Sequence, residues 1–160
     1  AMCYGENVEK ALVAGLLHDC AKCIPDRKKI KICQKNDIAI TDLEAENPFL
    51  LHAKVGAYIA REKYGIEDEE ILSAIACHTT GKPDMSLLDK IIYISDYIEP
   101  MRRKAPNLPE VRGMAFQNLD LTLFKILSDS LAYLRNSPEK LDTMTVQAYE
   151  YYKELLIGKE

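Results

Sequence analysis

Residues 14–22 read AGLLHDCAK, an apolar run that turns at once into His18 and Asp19 and, four positions after the histidine, Lys22. An imidazole or a carboxylate taken out of water is costly unless it is paired or holds a metal, so polar groups in such a run need a reason. The construction recurs. His52 sits in NPFLLHAKVGAYI (47–59), His78 in ILSAIACHTTGK (71–82), and Asp96 interrupts KIIYISDYIEP (90–100). The chain has three histidines in 160 residues, and each occupies such a setting. Metal binding is the simplest reading.

Working outward, apolar residues recur at helical spacing almost throughout and no convincing alternating segment is found, so the fold is expected to be all-α. Asn7 is placed to cap a helix running to about Cys23, and a shorter helix covers 26–35. The stretch NDIAITDLEAE is too mixed to assign. Asn47 and Pro48 open a helix that ends near Gly65, Asp68 caps the next through about His78, and Gly81 with Pro83 stops it. Ser86 begins another that Pro100 ends. Residues 100–109 read as an exposed loop carrying Arg102, Arg103 and Lys104, and 110–158 gives two or three further helices, with Asp120 and Ser137 as caps and Pro138 in a first turn.

Positions three or four apart share a helix face, so each candidate ligand can be tested against the stripe of its own helix. His52 continues with Val55 and Ile59, His78 completes Ile71 and Ile75, Asp96 follows Leu88 and Ile92, and His18 follows Ala11 and Ala14. One inward histidine is usually a hydrogen-bonded core residue. Four helices aiming imidazoles and carboxylates inward are harder to explain that way, and a bundle interior is a place where facing helices build metal sites. Nitrogen and carboxylate donors without thiolate suit iron, manganese, zinc, cobalt or nickel better than calcium. On a helix His18 and Asp19 point about 100° apart, so Asp19 can reach a second ion or bridge two. Lys22 falls near the His18 face, where its ammonium can stand beside whatever the metal holds. The sequence HTTGK (78–82) ends a helix with two hydroxyls, a glycine and a lysine, groups able to grip phosphate oxygens.

Composition sets limits on the partner. A net charge of -4 argues against a nucleic acid polymer or a membrane surface, and 48% hydrophobic with 29% charged residues describes an ordinary globular chain long enough to bury a core as one domain over 1–160. There is no secretory signal and no stretch that spans a bilayer. Five scattered cysteines, an odd number, fit a reducing cytoplasmic setting. Cys20 and Cys23 form a C-x-x-C without a second pair or a strand-helix context, and read as two buried thiols on a helix. There is no P-loop, no G-x-G-x-x-G and no G-x-S-x-G. The oligomeric state is open, a homodimer included.

AGLLHDCAK, NPFLLHAKVGA, HTTGKPDMSLLDKIIYISDYIEPMR and MAFQNLDLTL resemble, in order, segments of the HD superfamily of metal-dependent phosphohydrolases, and within it the YqeK-type symmetrical bis(5'-nucleosyl)-tetraphosphatases of bacteria. The likeness covers nearly the whole chain, and HTTG followed by SDYIEP and an arginine is far more specific than His-Asp alone. It implies an HD-domain helical bundle holding two metal ions, commonly iron, and hydrolysis of diadenosine tetraphosphate to two ADP. By position, His18, Asp19, His52, His78 and Asp96 match metal ligands, while Lys22, Thr80, Lys82 and Arg102 match residues near the phosphates, with Thr79 and Gly81 between them. Asp19, Lys22 and Arg102 are expected to carry catalysis. The family has a further ligand histidine on a helix before the stretch matching GENVEK, and this chain has none there, so either the first family helix is missing or one metal position is weakened. Alternatives are another nucleotide or deoxynucleotide phosphohydrolase, or a non-catalytic nucleotide sensor.

Overall fold

The computed structural model describes residues 1–105, 107–134 and 142–158. Regular structure in them is helical throughout: α1 (Val8–Leu17), α2 (Asp26–Lys35), α3 (Asp42–Glu46), α4 (His52–Tyr64), α5 (Glu69–Cys77), α6 (Leu87–Tyr97), α7 (Leu108–Met114), α8 (Leu119–Leu134) and α9 (Thr143–Ile157). Three caps fall where the sequence places them. Asn7 Oδ1 accepts the N–H groups of Glu9 (2.9 Å) and Lys10 (3.1 Å), and Asp68 Oδ1 accepts those of Glu70 (2.9 Å) and Ile71 (3.3 Å). Ser86 and Asp89 bond each other's main chain in a capping box that starts α6. Gly65, at φ 67°, ends α4.

Four boundaries differ from expectation. α1 stops at Leu17 rather than near Cys23, because the chain then passes into turns closed by Cys20 N–H on Leu17 O, Lys22 N–H on Asp19 O and Ile24 N–H on Ala21 O. Cys20 is therefore half-buried and Cys23 exposed, both in turns, instead of two buried thiols on a helix. The mixed stretch contains α3, announced by the capping box of Thr41 and Glu44, and Asn47 donates to Leu43 O rather than capping a helix, so a 3-10 turn over Pro48–Leu51 leads into α4. α7 begins at Leu108, inside the expected loop. At α8 it is Asn118 Oδ1 that accepts Leu121 N–H (3.0 Å), while Asp120 pairs with Lys90 (2.7 Å). Ser137 and Pro138 lie outside the described residues.

α5 packs against α4, α6 and α1, and α6 packs on its other side against α8, which also carries α9 and α7. α6 thus divides its faces between two cores. Leu88 and Ile92 join Ala14, Ala60, Ile71 and Ile75 on one side, and Ile91 and Ile94 join Val111, Leu123, Ile126, Leu127 and Tyr152 on the other. A third cluster, Ala21, Cys33, Leu51 and Val55, holds α2 under α4.

Two glycines shape this frame. At Gly56 a Cβ would stand 3.4 Å from His18 O and from Ile75 Cγ2, so the missing side chain lets α4 lie against both the turn after α1 and α5. Gly81 has φ 68°, a left-handed conformation costly for residues with a Cβ, and its N–H closes α5 on Cys77 O (2.8 Å). No helix among the described residues is long and apolar enough to cross a membrane.

Tyr152 is fully buried and its phenol oxygen accepts Met85 N–H at 2.9 Å. Tyr152→Phe leaves that buried amide without a partner and is expected to cost about 1–3 kcal/mol, seen as a lower denaturant midpoint at unchanged slope. An unchanged midpoint would show that the bond contributes nothing.

Candidate metal centre

Each proposed ligand on a helix stands at or beside its end. His18 comes directly after the last residue of α1, His78 directly after the last residue of α5, His52 opens α4 and Asp96 lies in the final turn of α6. Helix C-termini leave carbonyls without intrahelical donors, and the imidazoles use them. His18 Nδ1 lies 2.7 Å from Gly15 O and His78 Nδ1 2.7 Å from Ile75 O, in both cases three residues back. His52 does the same with Phe49 O at 2.7 Å, in the 3-10 turn before α4. A carbonyl only accepts, so Nδ1 carries the proton in all three rings and each Nε2 keeps its lone pair for the site. The Phe49 carbonyl also accepts from the buried Lys29 ammonium, at 3.4 Å.

The free nitrogens converge. His52 Nε2 and His78 Nε2 are 3.2 Å apart, and Asp19 Oδ1 is 3.4 Å from the first and 3.5 Å from the second. Asp19 Oδ2 looks the other way, 3.5 Å from His18 Nε2, which is itself 3.7 Å from Asp96 Oδ1. One atom each from His18, Asp19 and His78 falls within 4.8 Å of the others. The carboxylate of Asp19 therefore stands between two groups of donors. Two lone pairs facing each other at 3.2 Å repel unless a cation or proton sits between them.

Among the described residues, two buried side-chain polar atoms have no hydrogen-bond partner, Asp19 Oδ1 and Arg102 Nε. Both belong to this site. An orphaned anionic oxygen beside two imidazole lone pairs is a donor set short of a cation, and it fits a transition metal.

The protonation states of His52 and His78 suit that role. Burial pushes the His52 and His78 imidazoles below their ordinary pKa, leaving them neutral at pH 7. Asp96 draws His18 upward against burial. Burial alone would raise the Asp19 carboxyl, but Lys22 and the imidazoles of His18 and His78 bring it below the usual carboxylate range. At Asp96, His18 and Arg102 likewise outweigh burial.

Two depressions meet at the cluster. One of about 440 Å³ is lined by His18, Asp19, Lys22, Asp96, Glu99 and Arg102, and one of about 280 Å³ by Lys22, His52, His78, Thr79, Asp96 and Arg102 with Tyr93, Tyr97 and Ser130. Lys22 Nζ donates to Asp19 Oδ2 at 2.6 Å and Arg102 Nη2 to Asp96 Oδ2 at 3.2 Å, so one cation flanks each acid. The Thr79 hydroxyl lies 3.4 Å from His52 Nε2 and 3.3 Å from His78 Nε2. The rest of the HTTGK run goes elsewhere. Thr80 Oγ1 donates to Gly81 O, and Thr80 O accepts from Thr145 of α9. Lys82 bonds Ser73 Oγ (2.6 Å) and the fully buried Asp89 (3.0 Å), and Lys82 and Ser73, with Thr80 and Gly81, line another depression of about 330 Å³. Arg103 and Lys104 are exposed. Tyr97 and Ser130 gave no signal in the sequence, where a tyrosine on an apolar stripe and a serine in mid-helix are unremarked.

Along its whole length the chain is 38% identical to the symmetrical bis(5'-nucleosyl)-tetraphosphatase of Halalkalibacterium halodurans, of which it covers 83%. With the Bacillus subtilis protein of that name it shares 39% over 88% of its length and 75% of the relative's. The HD domain profile matches residues 1–101, which hold every proposed ligand. The chain belongs to the HD-domain family of symmetrical bis(5'-nucleosyl)-tetraphosphatases. A solved HD-domain structure, described as a predicted HD superfamily hydrolase involved in NAD metabolism from Clostridium acetobutylicum, superposes with a TM-score of 0.91 at 39% identity, covering all of this chain and 82% of that one. The His-Asp pair of this sequence, His18-Asp19, lies within the matched residues, directly after α1.

Proposed function

We propose that this chain hydrolyses a dinucleoside tetraphosphate, diadenosine tetraphosphate first among them, into two nucleoside diphosphates. The observation that carries the reading is the pair of buried unpartnered atoms at one site, Asp19 Oδ1 and Arg102 Nε, within a chain so similar to the symmetrical tetraphosphatases. The first calls for a cation. The second calls for an acceptor such as a phosphate oxygen.

His18, Asp19, His52, His78 and Asp96 would hold the metal, with Asp19 shared between the two donor groups. When bound, it lowers the pKa of coordinated water and withdraws charge from a phosphoryl oxygen. Iron is the expected ion from the family resemblance, and manganese, cobalt, nickel and zinc suit the same donors. Lys22 holds the ionised form of Asp19 and presents its remaining N–H donors to the depressions. Arg102 keeps Asp96 ionised through Nη2 while Nε serves the substrate, so one guanidinium touches both ligand and phosphate. Thr79, beside both imidazoles, is placed to orient a phosphate or a water. In symmetrical cleavage the oxygen of water joins one inner phosphorus, and the oxygen bridging the two inner phosphates leaves with the other half. Each product then keeps two phosphates. Such a cut depends on where the polyphosphate is seated as much as on activating water, and cations at the shared edge of two depressions supply that seat. Five unpaired thiols support a reducing, cytoplasmic setting.

Incubation of iron- or manganese-loaded protein with diadenosine tetraphosphate, with products resolved by anion exchange, is expected to give ADP alone. AMP with ATP would place the cut elsewhere. No turnover would favour a nucleotide sensor on the same scaffold.

A further inference from the structure

Arg112, on α7, belongs to none of the groups above. Its guanidinium donates from Nε to Ile98 O at 3.1 Å, and from Nη2 to Glu99 O at 2.8 Å and Arg102 O at 3.2 Å. Ile98 is the C-cap directly after α6, and residues 99–102 form the turn that follows, closed by Arg102 N–H on Glu99 O at 3.1 Å and by Met101 N–H on the Glu99 carboxylate at 2.8 Å. One planar fork thus gathers three carbonyls of the short segment joining Asp96 to Arg102. Carbonyls at a helix C-terminus carry partial negative charge and lack intrahelical donors, so a cation with several fixed N–H groups is the side chain suited to collect them. Of this segment Ile98 packs against the core and the Arg102 guanidinium lies over the Tyr97 ring (5.7 Å), but Met101 is 74% exposed and Pro100 is exposed too, so the middle of the turn has no packing to hold it.

We propose that Arg112 is a positioning residue that fixes the path of residues 98–102, and thereby seats the Arg102 guanidinium against Asp96 with its Nε buried and free for substrate. The inference rests on the reading that Arg102 meets a phosphate. Without Arg112 the carbonyls of Ile98 and Arg102 lose this donor and that of Glu99 keeps only the Arg102 N–H, so the turn relaxes and Arg102 meets the substrate less often in the productive orientation. Arg112 touches neither ligand nor substrate, and its whole effect passes through Arg102.

A double-mutant cycle tests this. Wild type, Arg112→Gln, Arg102→Ala and the double variant, all manganese-loaded, are compared for kcat and KM on diadenosine tetraphosphate and for ADP affinity by titration calorimetry, with metal content measured in each. Arg112→Gln is expected to lower kcat/KM and ADP affinity by about tenfold at unchanged metal content, and to add nothing in the Arg102→Ala background. The same loss from Arg112→Gln in both backgrounds, or no loss where Arg102→Ala is costly, would overturn the proposal. If Arg102→Ala itself leaves ADP affinity and turnover intact, the phosphate role of Arg102 fails and the positioning role with it. Should Arg112→Gln not fold, Arg112→Lys, which keeps the charge without the fork, takes its place in the cycle.

Discussion

Asp19→Ala protein is expected to purify without bound metal and to lose turnover by about 10³-fold or more, the scale of several kcal/mol of charge stabilisation that a metal supplies. Its far-ultraviolet circular dichroism should stay that of wild type, because Asp19 lies in the turn after α1 and holds no helix together. The removed carboxylate serves both donor groups, with Oδ1 toward His52 and His78 and Oδ2 toward His18, so no other single side chain disconnects as much of the site. Full metal stoichiometry with normal turnover in this variant would end the metal-centre reading.

Lys22→Ala separates binding from rate. Its side chain is 60% exposed, so truncation opens no cavity, and it is not among the proposed ligands. The variant is expected to keep its metal at neutral pH and to lose about 10²-fold in kcat, the usual cost of removing one preorganised donor from developing charge. Lys22 also helps hold the Asp19 carboxyl below its ordinary range against the pull of burial. Without it that pKa rises, so as pH falls Asp19 takes up a proton sooner. Metal loading measured across a pH series should accordingly fail at a higher pH in Lys22→Ala than in wild type. Normal turnover in Lys22→Ala would remove its charge-stabilising role.

What the sequence made legible is mainly direction. The apolar stripes of Ile71 and Ile75 beside His78 and of Leu88 and Ile92 before Asp96 are buried, while of the pair that continues His52 Val55 is buried and Ile59 half-buried. Caps with an Asn, Asp or Ser before the stripe were readable because their chemistry is local, at Asn7, Asp68 and Ser86. Local chemistry also explains an oversight, since Thr41 and Glu44 carry the capping-box spacing inside a stretch that looks irregular. The end of α1 was not readable: residues 18–23 would continue the helix by composition, and it is a series of three-residue turns that stops it. After that break Lys22 pairs with Asp19 and still lines one depression with His18. The HTTGK run reads in sequence as one phosphate grip, but the left-handed Gly81 turns the chain so that Thr79 stays at the imidazoles and Lys82 goes to Asp89. No spacing rule exposes the unpartnered atoms of Asp19 and Arg102, because they depend on several helix ends meeting.

The carbonyl three residues behind each histidine has a kinetic meaning as well. With every Nδ1 proton already committed, no ring needs to flip, exchange its tautomer or leave its rotamer when an ion arrives. Freezing a mobile side chain at binding costs about 0.5–1.5 kcal/mol, and here that ordering is complete before encounter. The step left to an arriving ion would then be the shedding of its own water. Ions that exchange water at different speeds are then expected to fill these donors at different speeds, whatever their final affinities.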